Sequence, residues 1–421
     1  MRNIKKKAVT FGAAASLVAL ASLSPAIAGT PGPAQPGSSG AVAAGSEPFA
    51  VNAPGMKQGT KTFPGTGPII EFPAFPTVGG FSCEVAVANN GDLITDEFVG
   101  NKMGRLDPHT GAVSEIPLPN LGGQPGGQNR GPDGDIWFAE VGGNGLGRLD
   151  TETETITTYP FPYLNVGSTA GLPLPPLIQL GPGIPFDNTW GKDGKIYVTA
   201  IGLNAILSFD PATEQWEKFQ IPTPLSGPVA MEEGPGGTIA ITEGVANKIA
   251  LFDVDTHQWE EHRIPTLGPG TTFPAGLTVS PDDRYLYFGE TLASKVGRFD
   301  SVTKTFKEYD LAALRPGGLL GGVLGGVNGN PLPQPGQLRF GSDGMLYIVN
   351  GTFTGGGTIG QLDVAKEEYR ELNTPTPVSM PCDLNNTVPG KIIFASFASN
   401  RVSYIDIPNT TDIGNTYPKF G

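Results

Sequence analysis

The chain is poor in the residues on which much familiar chemistry rests. Its 421 residues include two cysteines, three histidines and six methionines. With no Cys-x-x-Cys pair, a zinc site is not expected. No Gly-x-Ser-x-Gly follows a strand, so a serine-hydrolase elbow is not expected either. Basic side chains are scarce: 27 Lys and Arg stand against 40 Asp and Glu, for a net charge of -13. That balance repels phosphate backbones and anionic membrane surfaces, so nucleic acid is not an expected partner. Beyond the first thirty residues no apolar run approaches the roughly 20 residues needed to cross a bilayer, and helical periodicity is nearly absent.

Turns and aromatics are what the chain has in quantity. Gly (61) and Pro (41) make up about a quarter of it, beside 22 Phe, 10 Tyr and 4 Trp. A turn-rich all-β protein fits both facts. At the N-terminus, Arg2, Lys5, Lys6 and Lys7 precede the apolar run Ala8 to Leu23, and Ala26-Ile27-Ala28 supplies a small-x-small cleavage pattern. Residues 1–28 therefore read as a bacterial-type signal peptide cut after Ala28, which predicts a secreted, extracellular protein; the alternative is an uncleaved membrane anchor, for which the apolar run is short. Residues 29–68 are Gly, Pro, Ala and Ser with few bulky apolar groups and read as a flexible linker. Residues 409–421 read as a C-terminal tail.

Between them, one pattern recurs seven times. Gly104-Arg105-Leu106-Asp107, Gly147-Arg148-Leu149-Asp150, Leu207-Ser208-Phe209-Asp210, Ala250-Leu251-Phe252-Asp253, Gly297-Arg298-Phe299-Asp300, Gly360-Gln361-Leu362-Asp363 and Ser403-Tyr404-Ile405-Asp406 are short strands ending in Asp. Successive Asp residues are 43, 60, 43, 47, 63 and 43 apart. A period near 43 built of four short strands is that of a propeller blade, so residues 69–408 are expected to form a seven-bladed β-propeller. The seventh copy lacks a good outer strand, whereas Ile69-Ile70-Glu71-Phe72-Pro73 resembles an outer strand without a blade. Pairing that N-terminal strand into the last blade would close the ring and hide both edges; the alternative is an open six-bladed array. Cys83 and Cys382 each stand 8 residues before a short-turn glycine, Gly91 and Gly390. Both therefore occupy the same place on an innermost strand, one in the first blade and one in the seventh. A disulfide between them would staple the closure; the alternative is two free buried thiols.

Six residues after the short-turn glycine, each second strand opens onto the face carrying the blade-to-blade crossings. The residues there are Glu97, Glu140, Ala200, Glu243, Glu290 (with one residue of slack), Asn350 and Ser396. Four Glu around one mouth suggest oxygen ligands for Mg²⁺ or Ca²⁺. The competing reading pairs them with Lys102, Lys248 and Lys295, five residues on, as hairpin ion pairs. Gln124, Gln334 and Asn350 are further mouth positions for a ligand. The insertions Pro160–Phe186 and Leu311–Gln337 are rich in Leu, Gly and Pro and are candidates for an apolar lid.

The run Gly131-Pro132-Asp133-Gly134-Asp135-Ile136-Trp137-Phe138-Ala139-Glu140, with Gly147-Arg148-Leu149-Asp150 and Thr158-Tyr159-Pro160, resembles a blade of the streptogramin B (virginiamycin B) lyase family, whose members are seven-bladed propellers. The resemblance covers roughly Ile69 to Pro408. It implies Mg²⁺-assisted elimination that opens a cyclic depsipeptide, with a His base and Glu side chains at the mouth; Glu140, Glu243 and Glu290 match the family's glutamate. The histidines depart from it. Where the family has Pro-His on an innermost strand, this chain reads Pro125-Gly126, Pro185-Phe186, Pro228-Val229, Pro274-Ala275, Pro335-Gly336 and Pro381-Cys382. His109 and His257 fall in turns on the opposite face and His262 on an outer strand. Two expectations follow. One is a metal-assisted lyase or lactonase-type hydrolase of a ring ester, with Glu140, Glu243 and Glu290 holding the metal. The other is a non-enzymatic extracellular binding module. Either would be a monomer that takes a small-molecule, peptide or glycan ligand at the mouth.

Overall fold

In the computed structural model the described residues are 55–58, 69–163, 182–266, 271–316, 318, 332–351 and 356–407. The proposed signal peptide, nearly all of the linker, the C-terminal tail and most of both insertions lie outside them. The described chain forms seven antiparallel sheets in which strands one to four follow each other outward. Blade one is Ser82–Val87, Leu93–Glu97, Lys102–Leu106 and Val113–Pro117, and blade four is Pro228–Gly234, Thr238–Glu243, Lys248–Phe252 and Trp259–Arg263; blades two, three, five and six span 125–160, 185–220, 274–310 and 335–373. In blade seven, Pro381–Asn385, Lys391–Ser396 and Arg401–Asp406 supply three strands, and Ile69–Glu71 adds the fourth by pairing Ile70 with Tyr404. Lys57–Gln58, from the segment read as linker, pairs outside it. The ring is closed by the N-terminal strand.

Seven buried clusters hold the blades together, one at each interface. Trp137, Leu146, Trp190 and Val198 join blades two and three. Phe72, Val85, Leu93 and Tyr404 join blade seven to blade one, so closure rests on packed side chains as well as on a ladder. The recurring sequence pattern now has a physical cause at both ends. Gly147 and Gly297 face Phe138 and Phe288 across the sheet, and a Cβ at either glycine would run into the ring. The terminal Asp caps the hairpin between strands three and four: Asp253 Oδ1 accepts from the backbone N–H groups of Asp255 and Thr256, each at 2.9 Å, and Asp150 does the same for Glu152 and Thr153. Cys83 and Cys382 are bonded across the closure, with Cα atoms 4.9 Å apart.

Candidate functional site at the channel mouth

The mouth is built by one device used in several blades. An asparagine in the turn between strands two and three adopts a left-handed conformation, as at Asn101, Asn144, Asn204, Asn247 and Asn400. Asparagine tolerates that region better than most residues. Its side chain then latches the neighbouring crossing: Asn101 Oδ1 accepts from Gln124 N at 2.8 Å, Asn144 Oδ1 from Gly183 N at 2.7 Å and Asn204 Oδ1 from Ser226 N at 2.7 Å. At closure Asn400 Oδ1 accepts from Ser82 N at 3.1 Å. The crossing itself is strained where it turns into the channel. Gln124, Ile184, Phe273 and Met380 all have positive φ immediately before the proline that opens an innermost strand. A pre-proline residue is already disfavoured in helical space, so each such turn costs about 1 kcal/mol or more and persists because the latches over-determine it.

Each glutamate expected at the mouth does sit at the end of its second strand, but the structure does not bring the four together. Glu97, Glu140, Glu243 and Glu290 are at most 2% exposed; Glu243 and Glu290 lie beside the outer-strand Glu261 and Glu308 of their own blades, whereas Glu97 and Glu140 meet asparagines of the neighbouring crossings. Lys248 Nζ lies 3.0 Å from Glu261 on the outer strand and 2.5 Å from Thr223 Oγ1. Lys102 with Glu115 and Thr77, and Lys295 with Glu308 and Thr266, repeat this arrangement. The lysines thus pair with the outer-strand glutamates. Burial, and in blade four the neighbouring Glu261, push Glu243 up to about 8; burial pushes Glu97, Glu140 and Glu290 up to about 7. Burial also acts on Glu261, but its bonds from Thr223 and Lys248 hold it below the ordinary carboxylate range. Glu97 and Glu140 accept from Asn400 and Asn120, each at 3.1 Å. Among the described residues no group of three or more Asp, Glu, His or Cys stands ready to hold a metal ion.

Of the other expected mouth residues, Asn350 is fully buried and donates to the Tyr369 hydroxyl at 2.7 Å. Gln124 is buried in the latched turn, and Gln334 is half-buried beside the crossing into blade six. None of the three histidines reaches the mouth. His257 lies against Phe219 and Phe252 in a hairpin turn on the other face, and His262 packs on Phe299 with Nε2 2.9 Å from Glu260. His109 follows Asp107 in the corresponding turn of blade one.

The strongest concentration of charge was not anticipated. Two residues after the start of an innermost strand stand Glu84, Asp187 and Asp383, from blades one, three and seven, and Glu232 follows from blade four. All line one cavity in the channel. Arg339 from blade six reaches across blade five, donating to Leu277 O at 3.0 Å and lying 3.1 Å from Glu232. Burial, then repulsion from Asp383, Asp187 and Asp96, pushes Glu84 up; burial also raises Asp383, against the pull of Arg339 and a hydrogen bond with Glu84; burial brings Asp187 to about 7 and Glu232 to about 8. Asp96, also near 7 through burial, accepts from the N–H groups of Cys83 and Glu84 at 3.0 and 2.6 Å. The signal available in the sequence was the blade-by-blade register, in which these acids follow Cys83, Phe186 and Cys382 directly.

No protein-family model matches the chain, and no curated protein does. Solved structures do. A virginiamycin B lyase from Staphylococcus aureus aligns with a TM-score of 0.65 at 19% identity over 80% of this chain and 98% of the other. A catalytically inactive form of that lyase with quinupristin gives 0.65 at 20% over 80% and 98%. The chain has the virginiamycin B lyase fold. A hydrazine synthase from Kuenenia stuttgartiensis also aligns, at 0.59 and 15% identity over 80% of this chain and 97% of that one, so the architecture carries more than one chemistry. No helix among the described residues is long and apolar enough to cross a membrane.

Proposed function

We propose that this protein is a secreted, non-enzymatic binding propeller that takes a ligand at its mouth. The observation that carries the reading is the placement of the histidines: an elimination base needs hydrogen-bond reach of the proton it removes, and His109, His257 and His262 are all elsewhere. The metal-assisted lyase or lactonase reading, with Mg²⁺ or Ca²⁺ on Glu97, Glu140, Glu243 and Glu290, needs carboxyls that converge, whereas these four are buried in separate blade edges. A binding role is supported by the rim. Val78, Leu121, Leu225 and Val378 all lie in crossings on the mouth face and are between 46% and 93% exposed. Apolar side chains repeated round one opening suit a ligand with apolar groups of its own. The deciding experiment incubates the full-length protein with quinupristin and Mg²⁺ and follows the antibiotic by chromatography. The intact ring is expected to persist; a ring-opened product that depends on the protein would overturn the proposal.

A further inference from the structure

We propose that the channel just inside the mouth receives a primary ammonium group, the tip of a lysine side chain carried by a peptide ligand. This names the ligand class for the binding role above and rests on it. Four carboxyls, Glu84, Asp187, Glu232 and Asp383, face one cavity against a single guanidinium, Arg339. That guanidinium is already engaged by Glu232 and Leu277 O. Crowded carboxyls alone carry no ligand, because each can keep its proton. Gln128 has no such recourse. It is 4% exposed, lines the same cavity and gives its Nε2–H to Ile94 O at 2.7 Å, while its Oε1 has no donor. Buried amide oxygens are ordinarily satisfied, so this one calls for a donor from outside.

Size and geometry select among cations. The cavity leaves about 10 Å³ for the centre of a water-sized body, near the least that holds one water. An ammonium head is of that size and brings three donors in no fixed plane; a guanidinium is a wide planar fork. A divalent metal wants several carboxylates in a tight set, and no three acidic groups among the described residues are so placed. The crossings on the mouth face carry the exposed Val78, Leu121, Leu225 and Val378, which offer apolar contact to residues flanking a lysine.

The test titrates the full-length protein calorimetrically with an acetylated, amidated Leu-Lys-Leu peptide and with its Leu-norleucine-Leu counterpart. At pH 8.5 the lysine peptide is expected to bind at least tenfold more tightly. At pH 5.5 that advantage should shrink, since Asp96, Asp187 and Glu232 then hold their protons, burial moves Glu84 and Asp383 in the same direction, and Arg339 stays charged. Asp187→Asn and Asp383→Asn should each weaken the lysine peptide at least fivefold at pH 8.5 and leave the norleucine peptide unchanged, which shows the mouth is intact. The exposed Lys366→Ala should change neither. Methylammonium should compete with the lysine peptide. Equal affinity for the two peptides would overturn the ammonium site while leaving the binding role standing; failure of both peptides to bind would overturn both. Competition by micromolar Ca²⁺ that Asp383→Asn abolishes would overturn the ammonium site in favour of a metal.

Discussion

Glu243→Gln separates two opposite accounts of the blade-edge glutamates. If Glu243 is the ionised partner of Lys248, amide substitution breaks an ion pair and destabilises the fold wherever the acid would be charged. The structure argues the reverse, because Lys248 is taken by Glu261 and Thr223 and burial raises Glu243 to about 8. The folded protein then keeps a proton that the unfolded chain loses near pH 4.5. Stability from this group is complete below about pH 4.5 and is lost as pH rises to 8. At 1.36 kcal/mol per pH unit, the loss between pH 5 and 9 is bounded near 4 kcal/mol, and relaxation of the network brings a realistic figure to about 2 kcal/mol. Glutamine mimics the protonated acid and escapes that loss. For a ring of this size about 2 kcal/mol corresponds to roughly 3 °C in Tm. Calorimetric melting should find wild type and Glu243→Gln within about 1 °C of each other at pH 5, with the variant roughly 3 °C more stable at pH 9. A variant less stable than wild type at pH 9 would mean instead that Glu243 is the ionised partner of Lys248.

Other perturbations probe the frame of the mouth. Asn204 latches Ser226 through Oδ1 and donates to Thr223 O at 2.9 Å. Asn204→Ala should therefore cost about 2 kcal/mol in chemical denaturation, while Asn204→Gly, which relieves the left-handed backbone, should cost roughly half that. Arg315, at the foot of the second insertion, is fully buried and pairs with the equally buried Glu371 at 2.7 Å. Arg315→Met should destabilise by about 3–5 kcal/mol, and adding Glu371→Leu should recover most of it, because the cost lies in the stranded charge. Replacing both Cys83 and Cys382 by Ala opens a loop spanning a sequence separation of 299. It should lower stability by about 2–5 kcal/mol, read as a drop in Tm that reductant produces in wild type and not in the variant.

Much of the fold could be read from spacing, because a blade must place a small residue opposite Phe138 or Phe288 and an Asp where the outer hairpin reverses. Ile69–Glu71 announced itself as a strand without a blade, and the matched positions of Cys83 and Cys382 anticipated the bond between them. The site was less legible. Counting along strands located Glu97, Glu140, Glu243 and Glu290 correctly at the ends of their second strands. It did not say that Glu243 and Glu290 lie beside the outer-strand Glu261 and Glu308, which hold the lysines, or that Glu97 and Glu140 accept from Asn400 and Asn120. Such contacts depend on neighbouring segments, not on position within one strand. The channel acids were hidden for a related reason: Glu84, Asp187 and Asp383 come from three distant stretches of the chain, and only closure makes the first and last of them neighbours.

Closure is thus the claim on which mouth, rim and channel all depend, and Glu84 and Asp383 directly follow the two cysteines that report it. The sharpest check is non-reducing digestion of the folded protein prepared without reductant, with mass spectrometry of the peptides. A single cross-linked pair joining Cys83 to Cys382, released by reductant, is expected. Recovery of both cysteines as free thiols in the folded, oxidised protein would contradict it.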